Sequence, residues 1–199
     1  MPQRRCARMV ALAAMVFGTQ VAAQAPVQTR PPLPTQISIE TTGKGNLIIV
    51  DASDEMQVEA RTVWDAVTDY DNLAEFIPDM RVSRVVQREG NTLLVEKQGE
   101  FRFLLFRQPV DVRMKVIESP QRRVVARAVG GNVRALLGVY AIESLPEGTV
   151  RPSYSGRLIP DFPVPPLIGV PVVRRVLAKQ VTAPVDEIVR RDRMARSDR

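Results

Sequence analysis

Apolar positions along the chain change their spacing several times, and each change predicts a different element. Residues 47–58 are rich in β-branched side chains and favour a first strand or hairpin. Residues 61–67 and then 73–77 carry apolar side chains at helical spacing, which predicts two short helices. Pro78 ends the second helix, and its expected N-caps are Asp71 and Asn72.

After Pro78, apolar and polar residues alternate along segments separated by turn signals such as Gly130-Gly131-Asn132. This pattern predicts a meandering antiparallel sheet. Residues 101–106 are the exception, because apolar side chains there occupy both faces of what we interpret as one strand. We expect a bulge near Arg107, or a second face that is covered or exposed to a partner or membrane.

A rigid apolar loop and a long helix are predicted to end the domain. The loop, residues 160–171, contains five prolines. In the helix that follows, apolar residues recur every three or four positions, and Pro184 is expected to kink or split it near Thr182. The loop either packs simply or forms a gate or membrane-touching lip. The lip would consist of Phe162, Val164, Leu167 and Ile168.

The N-terminus resembles a secretory signal. A basic stretch with Arg4, Arg5 and Arg8 precedes an apolar run of about 13 residues, shorter than the roughly 20 that span a bilayer. Cleavage is expected after Ala23 or Ala25, and an uncleaved N-terminal anchor is the alternative. The expected organisation is a signal at 1–25, a proline-rich linker at 26–36, a ligand-binding domain at 37–194 and a basic tail at 195–199.

Composition narrows the possible chemistry. The 199 residues suffice for one well-buried core; there is no histidine, and the one cysteine, Cys6, lies in the predicted signal. A mature domain without either side chain cannot build Ser-His-Asp triads, Cys-His dyads or ordinary zinc sites. We therefore expect no metal and no cofactor, and we assign no catalytic residue.

The formal charge of +6 is concentrated at the two ends of the chain. Signal removal takes away three arginines and no acid, and residues 174–199 are rich in arginine. This end favours weak contact with an anionic membrane surface, or is a solvated helix face. No aromatic residues interleave with the arginines, so we expect no nucleic-acid partner. With a signal peptide, the expected location is the periplasm.

Residues 63–78, VWDAVTDYDNLAEFIP, closely resemble the opening motif of the polyketide cyclase/dehydrase and coenzyme Q-binding START-like (SRPBCC) family. Residues 138–142 and 149–159 are similar to its later hairpin, and the resemblance spans residues 44–192. It implies an α+β helix-grip fold. That fold has a curved antiparallel sheet of six or seven strands, two short helices after the first strand, and a long C-terminal helix over the sheet. Members enclose a hydrophobic cavity but differ widely in function.

Candidate cavity residues follow from this arrangement. Trp64 and Phe76 are better explained as packing anchors than as ligand contacts, whereas Tyr140 and Tyr154 could orient a polar ligand end. Strand arginines are expected to face solvent, and one pointing inward would indicate an acidic or phosphate-bearing ligand. The full candidate set is Trp64, Phe76, Phe101, Phe103, Tyr140, Tyr154, Phe162, Leu167, Val173, Leu177 and Val181.

The expected function is binding of a hydrophobic small molecule, such as a lipid, quinone or polyketide-like compound, without catalysis. A cyclase/dehydrase-type enzyme is the first alternative, and it requires an inward-facing Asp or Glu beside a Tyr or Arg as proton carrier. Asp69-Tyr70-Asp71 offers carboxylates around a phenol, although capping and turn formation explain the same residues. The second alternative is an envelope protein-interaction module with a filled interior.

Overall fold

We describe the fold from a computed structural model, which describes residues 36–42, 47–103, 106–161 and 169–198; at 41, 42, 101, 103, 106 and 169–176 only the backbone is described. The strands are β1 (Gln36–Thr42), β2 (Leu47–Ser53), β3 (Met80–Glu89), β4 (Thr92–Phe103), β5 (Phe106–Ser119), β6 (Arg123–Gly131), β7 (Val133–Ser144) and β8 (Val150–Pro160). The helices are α1 (Ala60–Val67), α2 (Leu73–Phe76) and α3 (Gly169–Ser197), with 3₁₀ turns at Tyr70–Asn72 and Pro146–Gly148.

The strands of the described residues form one antiparallel sheet in the order β1-β2-β8-β7-β6-β5-β4-β3. The predicted α+β architecture is confirmed, with two short helices after the first hairpin and a long helix at the end. The sheet has eight strands rather than six or seven, because β1 pairs with β2 from Gln36 to Thr42. The predicted signal and all of the predicted linker before Gln36 lie outside the described residues.

The apolar run at 101–106 is not one strand, and this expectation was wrong. β4 ends at Phe103 and β5 begins at Phe106, and the two residues are register partners. The two residues therefore lie on neighbouring antiparallel strands, and the register continues through Arg107 without the expected bulge. The alternation of apolar and polar residues changes phase here because the sequence passes from β4 to β5.

Neither residue expected to cap α2 does so. Asn72 stands at the N-cap position without a capping hydrogen bond, and its Nδ2 donates to Asp69 Oδ1 at 2.8 Å. Asp71 Oδ1 accepts from the backbone N–H of Val85 at 2.8 Å, which ties the turn to β3. Both side chains thus hold the connection between the helices rather than a helix end.

α3 continues through Pro184, so the expected split near Thr182 is not seen. Pro184 has no N–H to donate within the helix, but it is buried together with its neighbour Ala183. Packing around this turn offsets the lost hydrogen bond. The helix also extends to Ser197, through most of the predicted basic tail.

The apolar core consists of three clusters on one face of the sheet, which we call the inner face. The first joins β3–β6 to α2 and the Tyr70–Asn72 turn; the second joins α1 to Val185 and Ile188 of α3. The third joins β1, β2 and β8 to Leu177, Ala178 and Val181 of α3. The C-terminal half of α3 thus packs on α1, while its preceding turns lie over the β1–β2–β8 edge.

Arg191 fixes the C-terminal half of α3 to the segment after α1. Its guanidinium contacts Glu187 and Asp69, each at 2.7 Å, and donates to the carbonyl of Asp65 at 3.1 Å. Glu187 also contacts Arg190 at 2.6 Å, and its side chain is only 7% exposed. Hydrogen bonds from Arg190 and Arg191 hold the pKa of Glu187 at about 2.

We expect Glu187→Gln to flatten the acid dependence of stability. The folded pKa of about 2 lies below the ordinary value of 4.5, so the ionised carboxylate stabilises the fold above pH 4.5, and this contribution is lost as pH falls towards 2. Urea unfolding at pH 7 should show a loss of about 1–3 kcal/mol, shrinking as pH falls. Asp186→Asn on the same helix is the control, and equal pH slopes in both variants would contradict the assignment.

Candidate functional site

The inner face is closed unevenly. Over β4 and β5, Leu93, Val95 and Val116 are at most 1% exposed. Over β6–β8, inner-face side chains keep part of their surface accessible, although α3 lies above this side of the sheet. These side chains are therefore covered less completely than those over β4 and β5, although Leu177, Ala178 and Val181 of α3 pack beside Tyr154 and Leu158. We call this partly covered region the recess, and its sheet side is formed by Ala126, Ala128, Leu136, Tyr140, Tyr154 and Leu158.

Two tyrosines lie side by side on the recess wall. Tyr140 and Tyr154 are register partners on β7 and β8, with ring centroids 4.6 Å apart and planes inclined by 41°. Burial raises the pKa of Tyr154 to about 12, and burial together with Tyr154 raises the pKa of Tyr140 well above its ordinary value. Both phenols therefore stay protonated at neutral pH and can donate or accept a hydrogen bond.

The position of Tyr154 depends on two glycines. Gly138 and Gly156 are register partners on β7 and β8. A Cβ at Gly156 would lie 2.5 Å from the Tyr154 hydroxyl, and one at Gly138 would lie 3.3 Å from it. Because these positions have no side chain, the Tyr154 ring can lie along the sheet, with its hydroxyl over the floor of the recess.

A second polar group in the interior consists of Tyr70, Glu118 and Arg88. Glu118 ends the inner face of β5, is 9% exposed, and accepts from Arg88 Nη1 at 3.2 Å through Oε2. Its Oε1 and the hydroxyl of Tyr70 are buried without a hydrogen-bond partner. Burial, and secondly the Glu118 charge, raises the pKa of Tyr70 far above its ordinary value. The Glu118 carboxylate is close enough to act on the Tyr70 hydroxyl, so the two groups lie beside each other in the core.

Four of the predicted candidates meet at the recess. Tyr140 and Tyr154 form its wall, and Leu177 and Val181 of α3 pack against the Tyr154 cluster. Trp64 and Phe76 are half-buried around the first cluster, and Arg191 lies 6.0 Å from the Phe76 ring centroid. The remaining candidates have side chains outside the described residues: Phe101, Phe103, Phe162, Leu167 and Val173.

Sequence reasoning missed Glu118 as an interior residue. The alternation that buries Val112, Met114 and Val116 continues by two residues to Glu118, so the signal was present. Glu118 is the inward acid beside a tyrosine and an arginine that an enzyme of this kind requires. Its contact with Tyr70 was not readable from sequence, because it depends on how the 3₁₀ turn packs on the sheet.

The flanking acids of Asp69-Tyr70-Asp71 have structural partners. Asp69 contacts Arg191, and Asp71 accepts from the Val85 backbone. The two carboxylates thus stabilise the connection between the helices, which agrees with the turn interpretation but not with helix capping. The Tyr70 phenol is buried in the core. Within the described part of the chain, no acidic cluster is arranged to hold a metal ion.

Four of the strand arginines that were expected to face solvent do so and each contacts a carboxylate: Arg102, Arg113, Arg134 and Arg151. Arg127 and Arg157 are also exposed. An inward arginine that would anchor a ligand is therefore not found at these positions.

Among the described helices, none combines the length and apolarity needed to cross a membrane.

An open groove of about 700 Å³ lies away from the recess. It is bordered by residues 57–62, the β7–β8 turn and the end of α3. Arg196 crosses it, donating to the carbonyl of Gln57 at 2.7 Å and contacting Asp192 at 2.8 Å. None of the cavity candidates with described side chains lines this groove, and it is open to solvent, whereas a hydrophobic ligand is bound by a site that covers most of its surface.

A family model described as polyketide cyclase / dehydrase and lipid transport matches residues 56–184. Similar solved structures include the Zhui aromatase/cyclase from Streptomyces sp. R1128, at 14% identity and TM-score 0.59 over 73% of this chain and 95% of that chain. A START superfamily protein from Mycobacterium smegmatis has 13% identity and TM-score 0.58 over 74% and 98%. The human StarD13 (DLC2) lipid transfer and protein localization domain has 18% identity and a TM-score of 0.57, over 77% of this chain and 84% of that chain. No curated protein sequence matches the chain.

These structural similarities confirm the helix-grip fold expected from residues 63–78, and at such identities they show the fold alone. The matched segment begins at Met56 and ends at Pro184. It therefore includes the helix connection, the sheet from β3 to β8 and the part of α3 that lies over the recess.

We expect Gly156→Ala to destabilise the domain more than Gly138→Ala. The new methyl would meet the Tyr154 hydroxyl at 2.5 Å in the first variant and at 3.3 Å in the second, so only the first forces the ring to turn away. Thermal unfolding should show a loss of about 1–3 kcal/mol for Gly156→Ala. In a Tyr154→Ala background most of this penalty should vanish; a penalty that persists would show that the ring is not its cause.

Proposed function

The chain belongs to the polyketide cyclase/dehydrase and lipid transport family, and from this premise we propose that it binds a hydrophobic small molecule in the recess between β6–β8 and α3. The observation that carries the proposal is the incomplete burial of apolar inner-face side chains beneath a helix. Apolar surface left accessible there gains free energy when a ligand covers it, by about 25 cal/mol per Å².

The chemistry of the recess favours an elongated or flat apolar ligand that carries a few polar atoms. Ala128, Leu136 and Leu158 offer aliphatic contact, while the protonated Tyr140 and Tyr154 hydroxyls can orient a carbonyl or hydroxyl group. Lipids, quinones and polyketide-like compounds share this combination. The fold is also that of a domain named for lipid transfer and of an aromatase/cyclase, which agrees with a ligand of this class.

Export is part of the proposal. The basic and apolar segments of residues 1–25 have the order of a secretory signal, and Ala23 and Ala25 supply small residues at its end. A periplasmic carrier would hold an apolar compound that water does not dissolve, with the basic end of α3 favouring brief contact with an anionic membrane.

Filling the recess should weaken binding. Ala126 lies on the recess floor, and Arg127 is the next residue on the opposite, exposed face of β6. Fluorescence titration of the full chain with N-phenyl-1-naphthylamine should give saturable binding. Ala126→Leu should weaken it roughly tenfold, or about 1.4 kcal/mol, whereas Arg127→Leu should leave it unchanged.

Native mass spectrometry of the same variants checks the stoichiometry. One bound molecule per chain, at lower occupancy in Ala126→Leu, supports the recess as the site. Equal binding by both variants, or a wild-type chain that binds no apolar compound, contradicts the proposal and favours an interaction module with a filled interior.

A second candidate function is a cyclase/dehydrase-type reaction, and the position of Glu118 favours it. A buried carboxylate beside a protonated phenol, Tyr70, supplies groups that can remove and return a proton during enolisation or loss of water. Proton transfer of this kind contributes roughly 10²–10⁴-fold to a rate. The proton would pass from the carbon next to a ligand carbonyl to Glu118.

Glu118→Gln separates this candidate from simple binding. If the protein is an enzyme, turnover of a poly-β-ketone should fall roughly 100-fold or more while probe affinity is kept. Glu96→Gln is the matched control, because Glu96 is an equally buried strand carboxylate on the outer face. If the wild-type chain binds such a compound without converting it, the enzyme candidate is wrong and binding of the ligand is the remaining function.

A further inference from the structure

Lys97 is a lysine on the inner face of the sheet. Its register partners are Ser83 on β3 and Val112 on β5, and it follows the buried Leu93 and Val95 at period two along β4. The residue is half-buried, and desolvation alone lowers the pKa of its amine to about 8. The amine is thus still mostly protonated at neutral pH, in surroundings poor in water.

The carboxylates close to Lys97 on β4 and on the paired strand β5 lie on the outer face of the sheet. Glu96 is held by Arg84 and Arg113, and Glu100 by Arg81 and Arg102. Across the hairpin, Asp111 is exposed and accepts from Gln98 Nε2 at 3.4 Å. The negative charge around β4 is therefore on the other side of the sheet, largely paired with arginine.

The inner face offers no counter-ion within reach. Its acid, Glu118, is six residues along β5 from Val112, the partner of Lys97, which corresponds to about 20 Å. Among the described residues Lys97 has no ion pair, and the segments outside the description contain no Asp or Glu. A desolvated ammonium gains free energy when an anion binds beside it, because charges in surroundings poor in water are normally paired.

Ser83 adds a second unsatisfied group beside the lysine. The residue is 5% exposed, and its hydroxyl is buried without a hydrogen-bond partner among the described residues. Side chains of register partners on one face stand about 4.5–5.5 Å apart at Cβ, so the hydroxyl and the lysine stem are neighbours. A cation and a free hydroxyl side by side are the groups that bind an oxyanion.

This pair lies next to the recess. Ala128 on the recess floor pairs with Met114, one inner-face step from Val112, so that two strand spacings, or about 10 Å, separate the β4 and β6 backbones. The four-carbon stem of a lysine covers a good part of that distance. An anion at the amine could therefore continue as an apolar chain over Ala128.

We propose that Lys97 and Ser83 bind the anionic head of an amphiphile, a carboxylate or a phosphate monoester, whose apolar chain occupies the recess. The inference rests on the proposed function and narrows its ligand class to acidic amphiphiles. The head supplies the counter-ion that Lys97 lacks, and the Ser83 hydroxyl donates to one of its oxygens.

The test compares an acid with its neutral analogue on the full chain. By calorimetric titration, wild type should bind dodecanoate at least tenfold more tightly than methyl dodecanoate. Lys97→Met, which keeps an apolar stem, should bind the ester as wild type does but lose the preference for the acid. Lys97→Arg should keep most of the preference, and Ser83→Ala should reduce it. Dodecyl phosphate in place of dodecanoate identifies which anion fits better.

Equal binding of acid and ester by wild type, or an unchanged preference in Lys97→Met, overturns the inference and leaves the proposed function standing. A second outcome also overturns the inference: Lys97→Met no longer binds the ester, whereas Lys97→Arg and Ser83→Ala prefer the acid as wild type does. In that case the lysine stabilises the fold rather than binding the anion. Failure of wild type to bind either compound overturns the proposed function and this inference together.

Discussion

The rest of the structure depends on the anchoring of α3 at its C-terminal half. Arg191 is shared between Glu187 on its own helix and Asp69 beyond α1, while Ile188 packs on Val63. Because the helix continues through Pro184, this anchor also fixes the position of its earlier turns over the sheet. The apolar side chains of the recess nevertheless keep part of their surface accessible on this face of the sheet.

Charge is distributed between the two faces of the sheet in a way that suits this role. On the outer face, exposed arginines partner carboxylates such as Glu96 and Glu100, and surface pairs of this kind contribute little to stability. On the inner face, among the described residues, the Ser83 and Tyr70 hydroxyls lack a hydrogen-bond partner and the Lys97 amine is desolvated. Placing such groups in an apolar interior costs free energy, which a ligand that satisfies them can recover.

Much of the fold was readable from sequence, because the period of apolar residues reports which face of an element is buried. The helices after the first hairpin, the antiparallel sheet and the long final helix all followed from that period. The change of strand between Phe103 and Phe106 did not, since Leu104 and Leu105 carry no turn signal. For the site, alternation alone places Glu118 and Lys97 inside, but the pairing of Tyr70 with Glu118 depends on tertiary packing.

The aromatic residues give the domain an optical property of its own. The chain has one tryptophan and three tyrosines, and all four, at positions 64, 70, 140 and 154, pack within the clusters of the inner face. The tyrosine and tryptophan absorption and emission of the folded domain therefore come from rings that are buried or half-buried on the inner face. Solvent quenchers, circular dichroism and energy transfer between these rings report directly on whether that interior is wet, empty or occupied, with no external label.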